Sequence, residues 1–241
     1  MEKALPGARF IYAKDQAFAP YGCKDDTSLE KRVKNIFKKL LSLQPDIIII
    51  ACNTASTFLL PNLRAMTAIP IVGVIPPIKP GALLSTNKVI GLLATPATIK
   101  RPYTDNLIES FAAGCKVKRL GSTKLVEMAE AKLKGEKVCL SQLEKEIAPL
   151  FDDPKMDVVL LGCTHFPHLL EEMKQCAPFE VHWLDPGEAI ARRLKSLASH
   201  SPISKKHQKE LPQYHTAYCT REPHSMAFVA RGFDEFCLLQ T

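Results

Sequence analysis

Two segments of the chain repeat one pattern, and this repetition limits the possible folds more than any other feature. Each segment begins with an acid, continues through four aliphatic residues and a small residue, and ends in a cysteine followed by two polar residues. The segments are Asp46–Thr54 and Asp157–His165. A continuous aliphatic run is typical of a strand buried on both faces of a parallel sheet. The repetition therefore predicts two related α/β halves, each with a buried strand that ends in a cysteine.

The rest of the chain alternates between strand-like and helix-like patterns. The predicted strands are Asp46–Ala51, Ile71–Ile75, Val89–Ala94, Val117–Leu120, Val158–Gly162 and Val181–Leu184. The predicted helices are Ser28–Leu43, Pro102–Ala113, Leu140–Phe151 and Gly187–Ala198. This alternation indicates a doubly wound α/β architecture with parallel central sheets.

Length and composition exclude several classes of protein. The chain has 241 residues, of which 46% are hydrophobic and 24% are charged, which is ordinary for a globular protein of two domains. Its longest aliphatic runs fall far short of the roughly 20 residues that cross a bilayer. Residues Met1–Phe10 lack the apolar stretch of a secretory signal. We therefore expect a cytoplasmic location and no membrane partner.

The eight cysteines and the net charge of +7 indicate neither a metal site nor a nucleic-acid site. No Cys-x-x-Cys pair occurs, the cysteines are scattered, and a cytoplasm keeps thiols reduced, so free thiols are expected. The basic residues are dispersed, and those of Ser28–Leu43 fit the solvated face of an amphipathic helix. The sequence contains no glycine-rich phosphate-binding motif, so it gives no indication of a nucleotide cofactor.

Cys52 and Cys163 stand where ligands bind in parallel sheets, beyond the carboxyl ends of strands. A redox disulfide would require bonded sulfur atoms, which a cleft between domains that holds a substrate forbids. A cysteine nucleophile paired with His165 leaves Cys52 without a role. Two-base proton transfer gives both cysteines a role, because a thiolate removes a proton from one face of a carbon and a thiol delivers one to the other face. The pattern thus favours a racemase.

Polar residues beside the two cysteines are candidates for binding a substrate carboxylate and stabilising a carbanion. They are Asn53, Thr54, Thr164 and His165. His165 is also placed to promote the thiolate of Cys163. Helix capping is an equal alternative for Asn53, Thr54 and Thr164, and a structural hydrogen-bonding role is an alternative for His165.

The segments Ala51–Ser56 and Gly162–Pro167 resemble the two signature segments of bacterial glutamate racemases. The similarity extends through most of the chain, at Pro20-Tyr21-Gly22, Val72–Ile75, Gly91–Thr95, Ala97-Thr98, Leu125–Glu127 and Asp185. The resemblance implies a cofactor-independent interconversion of L- and D-glutamate that supplies D-glutamate for peptidoglycan synthesis.

The resemblance also implies an organisation. It predicts two pseudo-symmetric domains with the active site between them and a homodimeric assembly. Residues 1–74 and 186–241 would form the domain that carries Cys52, and residues 75–185 the domain that carries Cys163. A helix near Ala189–Ala198 and a strand near Tyr214–Cys219 would complete the first domain.

The resemblance assigns roles to individual residues. Cys52 and Cys163 would each take the α-proton of one enantiomer, and His165 would assist Cys163. The residues that would hold the substrate are Pro20, Tyr21, Gly22, Asn53, Thr54, Thr98 and Thr164. No metal or cofactor is implied.

The sequence departs from the family at its start. Family members normally begin with a strand that leads into an Asp-Ser-Gly-x-Gly-Gly segment, whose aspartate assists the cysteine corresponding to Cys52. The sequence holds no such segment before Phe10–Asp15. Asp15 matches a later acidic position of the family. Two alternatives to an active glutamate racemase follow: an inactive, N-terminally truncated member of the family, and an aspartate racemase, whose enzymes share the cysteine arrangement.

Overall fold

A computed structural model describes residues 4–6, 8–200, 215–220 and 233–238 of the chain. The strands are β1 Ile11–Lys14, β2 Ile48–Ile50, β3 Ile71–Gly73, β4 Val89–Ala94, β5 Lys116–Gly121, β6 Val158–Gly162, β7 His182–Leu184, β8 His215–Cys219 and β9 Phe233–Leu238. The α-helices are α1 Asp26–Leu41, α2 Asn53–Arg64, α3 Ile78–Leu84, α4 Pro96–Ile99, α5 Pro102–Phe111, α6 Lys124–Leu133, α7 Leu140–Ile147, α8 Leu170–Cys176 and α9 Gly187–His200. Short 3₁₀ helices cover Tyr21–Cys23, Ala148–Phe151 and Phe166–Leu169.

The chain forms two compact units. The first comprises Met1–Ile48, Leu63–Val72 and Glu188–Thr241, and the second comprises Ile49–Asn62 and Gly73–Gly187. Residues 49–62, which carry Cys52, group with the unit that carries Cys163. The domain boundaries drawn from the sequence stay a prediction.

A four-stranded parallel sheet in the order β5-β4-β6-β7 forms the core of the second unit. Every residue of β4 and β6 is buried, as their continuous aliphatic runs predict. Their side chains alternate between the two faces of the sheet. Val159 and Leu161 join the cluster on one face, and Val158 and Leu160 join the cluster on the other.

Helices cover both faces of this sheet. On one face, residues of α6, α7 and α8 pack against Leu93 and Leu161. On the opposite face, residues of α3 and α5 pack against Leu92 and Leu160. Gly81 allows α3 to lie close to the sheet, since a Cβ atom there would come within 2.3 Å of Leu160 Cδ2. Parallel strands covered by helices on both faces confirm the predicted doubly wound α/β class.

The first unit holds a second parallel sheet in the order β1-β8-β9. The carboxylate of Asp15, directly after β1, accepts hydrogen bonds from Arg32 of α1, from the Tyr21 hydroxyl and from the Thr220 hydroxyl that follows β8. Burial alone would raise the pKa of Asp15, but these donors hold it below its ordinary value. One carboxylate thus ties together three segments of this unit.

Several predicted elements have the observed bounds and others do not. The strands Val89–Ala94 and Val158–Gly162 are confirmed residue for residue. The predicted helix Leu140–Phe151 changes to a 3₁₀ helix after Ile147, where Pro149 removes a backbone donor. The predicted strand near Tyr214–Cys219 is present from His215, and Tyr214 lies outside the described residues. Helix α6 was not predicted. In the part of the chain that the structure describes, no helix has both the length and the apolarity to span a bilayer.

The acids that open the two repeated segments differ in their surroundings. Asp46 is exposed. Asp157 accepts hydrogen bonds from the Ser85 hydroxyl at 2.6 Å and from the backbone N–H groups of Thr86 and Asn87 at 2.7 and 2.8 Å. Partial burial raises the pKa of Asp157, but these donors outweigh burial and lower it below the ordinary value. Asp157 therefore fixes the turn between α3 and β4.

We expect Asp157→Ala to lower the free energy of unfolding by about 1–3 kcal/mol at neutral pH, because three donors lose their acceptor. A lowered carboxyl pKa contributes stability above the ordinary value of about 3.9, and this contribution disappears as the pH falls through the lowered pKa. The difference between the two proteins should therefore shrink toward about pH 3. Urea unfolding over this pH range measures it.

Asp46→Ala is the matched control from the other repeat, and its effect should stay within about 0.5 kcal/mol. Equal losses for the two substitutions would contradict the assigned role of Asp157.

Candidate active site

The first cysteine of the repeat lies at the start of a helix. Strand β2 ends at Ile50, and the Cys52 carbonyl accepts the Ser56 N–H at 2.9 Å as α2 begins. The side chain of Cys52 is partly accessible, but surrounding protein atoms desolvate the thiol and raise its pKa. The backbone N–H groups of Ala55 and Thr54 act in the opposite direction, because they stabilise a thiolate. Cys52 thus combines a low-polarity environment with donors for its charged form.

The second cysteine repeats this arrangement at the end of β6. Cys163 is 7% exposed and is followed by a turn in which the Phe166 N–H donates to the Cys163 carbonyl at 3.2 Å. Desolvation raises the pKa of Cys163 to about 12, while the N–H groups of His165 and Phe166 partly counteract this effect. Both cysteines therefore hold neutral thiols in the resting protein, each facing backbone donors.

The two cysteine segments lie side by side. The Thr164 hydroxyl donates to the Ala51 carbonyl at 3.5 Å, a long contact that joins the residues next to the two thiols. Negative charge on Cys52 raises the pKa of Cys163, so the sulfur atoms are close enough to interact electrostatically. In a site of low polarity, one thiolate disfavours a second. The arrangement therefore disfavours two thiolates at the same time.

His165 lies beside Cys163 and is held by a carboxylate. Its Nδ1 atom is 3.9 Å from Cys163 Sγ, and its Nε2 atom is 2.7 Å from Glu130 Oε1. An ionised Glu130 accepts the proton of Nε2 and leaves Nδ1 as the acceptor that faces the thiol. The structure thus forms a Cys163–His165–Glu130 chain.

Sequence reasoning missed Glu130. It lies 35 residues from His165 in the chain and reaches the imidazole only because α6 packs beside the turn after β6. Predicting a helix at Lys124–Leu133 would have placed Glu130 on that helix. The sequence spacing between Glu130 and His165 still does not predict their contact.

A cluster of threonine hydroxyls extends the site from the neighbouring strand. Ala94 pairs with Gly162, so the loops after β4 and β6 leave the sheet at the same level. The Thr54 hydroxyl is 3.0 Å from that of Thr95 and 3.4 Å from that of Thr98, and the hydroxyls of Thr95 and Thr98 are 2.9 Å apart. All three side chains are buried. The cluster brings together Thr54 and Thr98, which the sequence assigns to substrate binding.

Asn53 presents a buried amide to this region. Its side chain is 2% exposed, and neither Oδ1 nor Nδ2 has a hydrogen-bond partner among the residues that the structure describes. The amide therefore does not cap α2, so the capping alternative does not describe Asn53. An unpaired buried amide costs about 1–3 kcal/mol unless a ligand or water satisfies it.

Pro20, Tyr21 and Gly22 lie in the other unit. Tyr21 and Gly22 belong to a 3₁₀ helix, and the Tyr21 hydroxyl donates to Asp15 Oδ2 at 3.0 Å. The residues that the structure brings together are Cys52, Asn53, Thr54, Thr98, Cys163, Thr164 and His165, to which it adds Thr95 and Glu130. Among the residues described, no group of three His, Cys, Asp or Glu side chains could hold a metal ion.

Comparison with known proteins identifies relatives over most of the chain. The sequence model of the family described as Asp/Glu/hydantoin racemase matches residues 2–194. A glutamate racemase from Pasteurella multocida is 47% identical over 222 residues, which are 91% of this chain and 81% of that protein. A glutamate racemase from Aliivibrio fischeri is 53% identical over 194 residues, or 80% of this chain and 72% of that protein.

Solved structures show the same likeness. The crystal structure of Escherichia coli glutamate racemase in complex with L-glutamate and the activator UDP-MurNAc-Ala has a TM-score of 0.88 and 39% identity. The match covers 98% of this chain and 90% of that one. A glutamate racemase from Francisella tularensis, in complex with D-glutamate, has a TM-score of 0.82 at 25% identity, with 99% and 90% of the chains covered.

We expect alkylation of Cys163 in the substrate-free protein to be slow at neutral pH and to accelerate about tenfold per pH unit up to about pH 9, because only the thiolate reacts. Exposed Cys139 is the internal control, since hydrogen bonds from the Ser141 hydroxyl and the Gln142 N–H lower its pKa. Mass spectrometry after pulses of iodoacetamide measures both sites. A rate at Cys163 that is already constant near neutral pH would contradict the raised pKa.

Proposed function

The chain belongs to the Asp/Glu/hydantoin racemase family, and from this premise we propose that it is a glutamate racemase, which interconverts L- and D-glutamate without a cofactor. The observation that carries the proposal is the pair of strand-end thiols, Cys52 and Cys163, each desolvated and each facing backbone donors, in adjacent segments joined by the contact of the Thr164 hydroxyl with the Ala51 carbonyl. A family that racemises amino acids needs two proton-transferring groups, and these cysteines supply them.

In the proposed reaction the substrate Cα–H bond breaks as its proton passes to the sulfur of one cysteine. The carbanion then takes a proton from the thiol of the other cysteine on the opposite face, and the configuration is inverted. The reverse reaction exchanges the two roles. Negative charge on Cys52 raises the pKa of Cys163, so once one cysteine is a thiolate the other keeps the proton that it must deliver.

The raised thiol pKa values mean that a thiolate must form when the substrate binds. The substrate's ammonium group stabilises a nearby thiolate by direct charge attraction. For Cys163, Nδ1 of His165 is the neighbouring group that takes the thiol proton, and Glu130 stabilises the resulting imidazolium. For Cys52, the N–H groups of Thr54 and Ala55 stabilise the thiolate at the start of α2.

Polar groups beside the thiols would hold the substrate. The Asn53 amide, which has no partner in the described part of the chain, would pair with the α-carboxylate and with the carbanion that forms next to it. The hydroxyls of Thr54, Thr98 and Thr164 would donate to carboxylate oxygens, and Pro20, Tyr21 and Gly22 stay assigned to substrate binding by resemblance alone. A role in peptidoglycan synthesis, a cytoplasmic location and a homodimeric assembly belong to the same proposal.

Incubation with D-glutamate in deuterated water tests the reaction. We expect loss of optical rotation and incorporation of one deuterium at Cα, because the proton that is delivered comes from a cysteine thiol in exchange with solvent. Circular dichroism of the substrate and proton NMR measure the two events. Aspartate is the matched substrate control, and a higher kcat/KM for aspartate would show an aspartate racemase instead. A folded protein that changes neither amino acid would refute the proposal.

Cys52→Ser and Cys163→Ser should each lower racemisation at least about 100-fold, because a serine hydroxyl is a far weaker base than a thiolate. Cys139→Ser changes an exposed cysteine outside the proposed site and should leave kcat/KM unchanged. Coupled determination of L-glutamate formed from D-glutamate measures all three variants. Full activity in either of the first two would exclude two-thiol catalysis.

A further inference from the structure

We propose that Lys132 is a positioning residue that holds the turn carrying Cys163 and His165 in its working geometry. The inference rests on the proposed function, because it concerns one of the two proton transfers of that reaction. Lys132 lies on α6, two residues after Glu130, and none of the sequence motifs points to it.

The ammonium group of Lys132 makes two contacts with the segment that follows Cys163. Its Nζ atom donates to the His168 carbonyl oxygen at 2.8 Å. It also lies 2.6 Å from Glu172 Oε1 and 2.8 Å from Glu172 Oε2 on α8. The Glu172 side chain is only 18% exposed. Desolvation raises the pKa of its carboxyl group, but the hydrogen bond and charge of Lys132, together with the backbone N–H of Glu172, lower it below the ordinary value. The ion pair is therefore partly shielded from water.

The carbonyl that Lys132 binds belongs to the turn that positions the imidazole. His165 precedes the 3₁₀ helix Phe166–Leu169, and the His168 N–H donates to the His165 carbonyl at 3.1 Å. A donor on the His168 carbonyl thus fixes the far end of the turn that begins at His165. Glu130 fixes the near end through the imidazole itself.

Both contacts with the turn, from Glu130 and from Lys132, come from α6, and this helix is packed firmly against the core. Leu125 and Ala129 of α6 are fully buried in the core of the second unit. The first turn of α6 is fixed by Ser122, whose hydroxyl accepts the Leu125 N–H at 3.0 Å and donates to Glu146 Oε1 at 2.6 Å. Residues on a rigid element can hold a reactive group to a fraction of an ångström.

The Cys163–His165 contact is sensitive to such positioning. The separation of 3.9 Å between Sγ and Nδ1 is long for a hydrogen bond, even one to sulfur, so a small outward movement of the imidazole would end it. A misplacement of about 1 Å can cost about 100-fold in rate. Loss of Lys132 should therefore slow the proton transfer at Cys163 and leave the transfer at Cys52 unchanged.

Rates alone do not locate this defect, because enantiomers have equal free energy. The equilibrium constant is one, and kcat/KM must fall by the same factor in both directions. Isotope effects do locate it. When transfer at Cys163 becomes slower, the α-deuterium effect on kcat/KM rises for the enantiomer whose proton Cys163 removes. It falls for the other enantiomer, whose labelled step no longer limits the rate.

The experiment compares Lys132→Met with the unsubstituted protein, using α-deuterated L- and D-glutamate. We expect kcat/KM to fall about tenfold or more, with the two isotope effects changing in opposite directions. Glu130→Gln should change the two isotope effects in the same directions as Lys132→Met, because it weakens the hydrogen bond that holds the His165 imidazole. Lys132→Arg, which keeps a cation able to donate to both acceptors, should restore most of the activity.

Lys124→Met is the matched control. Lys124 lies on the same helix, is exposed and pairs with Glu127, so its loss should leave both isotope effects unchanged. If Lys132→Met does not fold, as judged by circular dichroism, Glu172→Gln replaces it and should give the same asymmetry to a smaller extent.

The results distinguish a failure of the positioning role of Lys132 from a failure of the proposed racemase function. Unchanged activity in Lys132→Met, or reduced activity with both isotope effects unaltered, would overturn the positioning role, because a merely structural loss lowers the amount of active protein and not the isotope effect. An unsubstituted protein that racemises neither enantiomer would overturn the proposed function and this inference together.

Discussion

The parallel pairing of β4 with β6 is the constraint on which the candidate site depends. Both strands are buried on both faces, so their register is fixed by packing on two sides. Ala94 lies opposite Gly162, where a Cβ atom on the glycine would come within 2.9 Å of Ala94 Cβ. Because the strands end together, Cys163 and the hydroxyls of Thr95 and Thr98 emerge at one level. The positions of these reactive groups thus follow from the core.

Burial of the two thiols links packing to chemistry. Desolvation raises the pKa of Cys52 and of Cys163, and the charge of one opposes ionisation of the other. Water would screen this opposition, whereas a site of low polarity preserves it. The environment that makes the resting thiols unreactive therefore also keeps two negative charges from forming together. Two-base racemisation requires this, because one cysteine must keep a proton to deliver while the other removes the proton of the substrate.

The parts of this protein that follow from the sequence are those governed by local pattern. The aliphatic runs of β4 and β6 have their predicted bounds, and both cysteines follow strands. The run Asp46–Ala51 forms a strand only at Ile48–Ile50 and is partly exposed, so the prediction of a strand buried on both faces was wrong there. Glu130 and Lys132 were missed because α6 was not recognised and because their partners lie 35 to 40 residues away, brought near only by tertiary packing. The two repeated segments are similar in sequence but differ in structure. Asp157 accepts hydrogen bonds from the turn before β4, whereas Asp46 is exposed.

Asp15 joins parts of the first unit that are far apart in the sequence. Its carboxylate holds Tyr21 near the start of the chain but also accepts the hydroxyl of Thr220, 205 residues later. Strand β1 likewise pairs with β8 and not with a neighbour in sequence. During synthesis on the ribosome, the segment around Tyr21 must wait, incompletely bonded, until most of the chain has emerged. Contacts between residues so far apart in the sequence slow folding, so this unit cannot be completed until its last strands have been made.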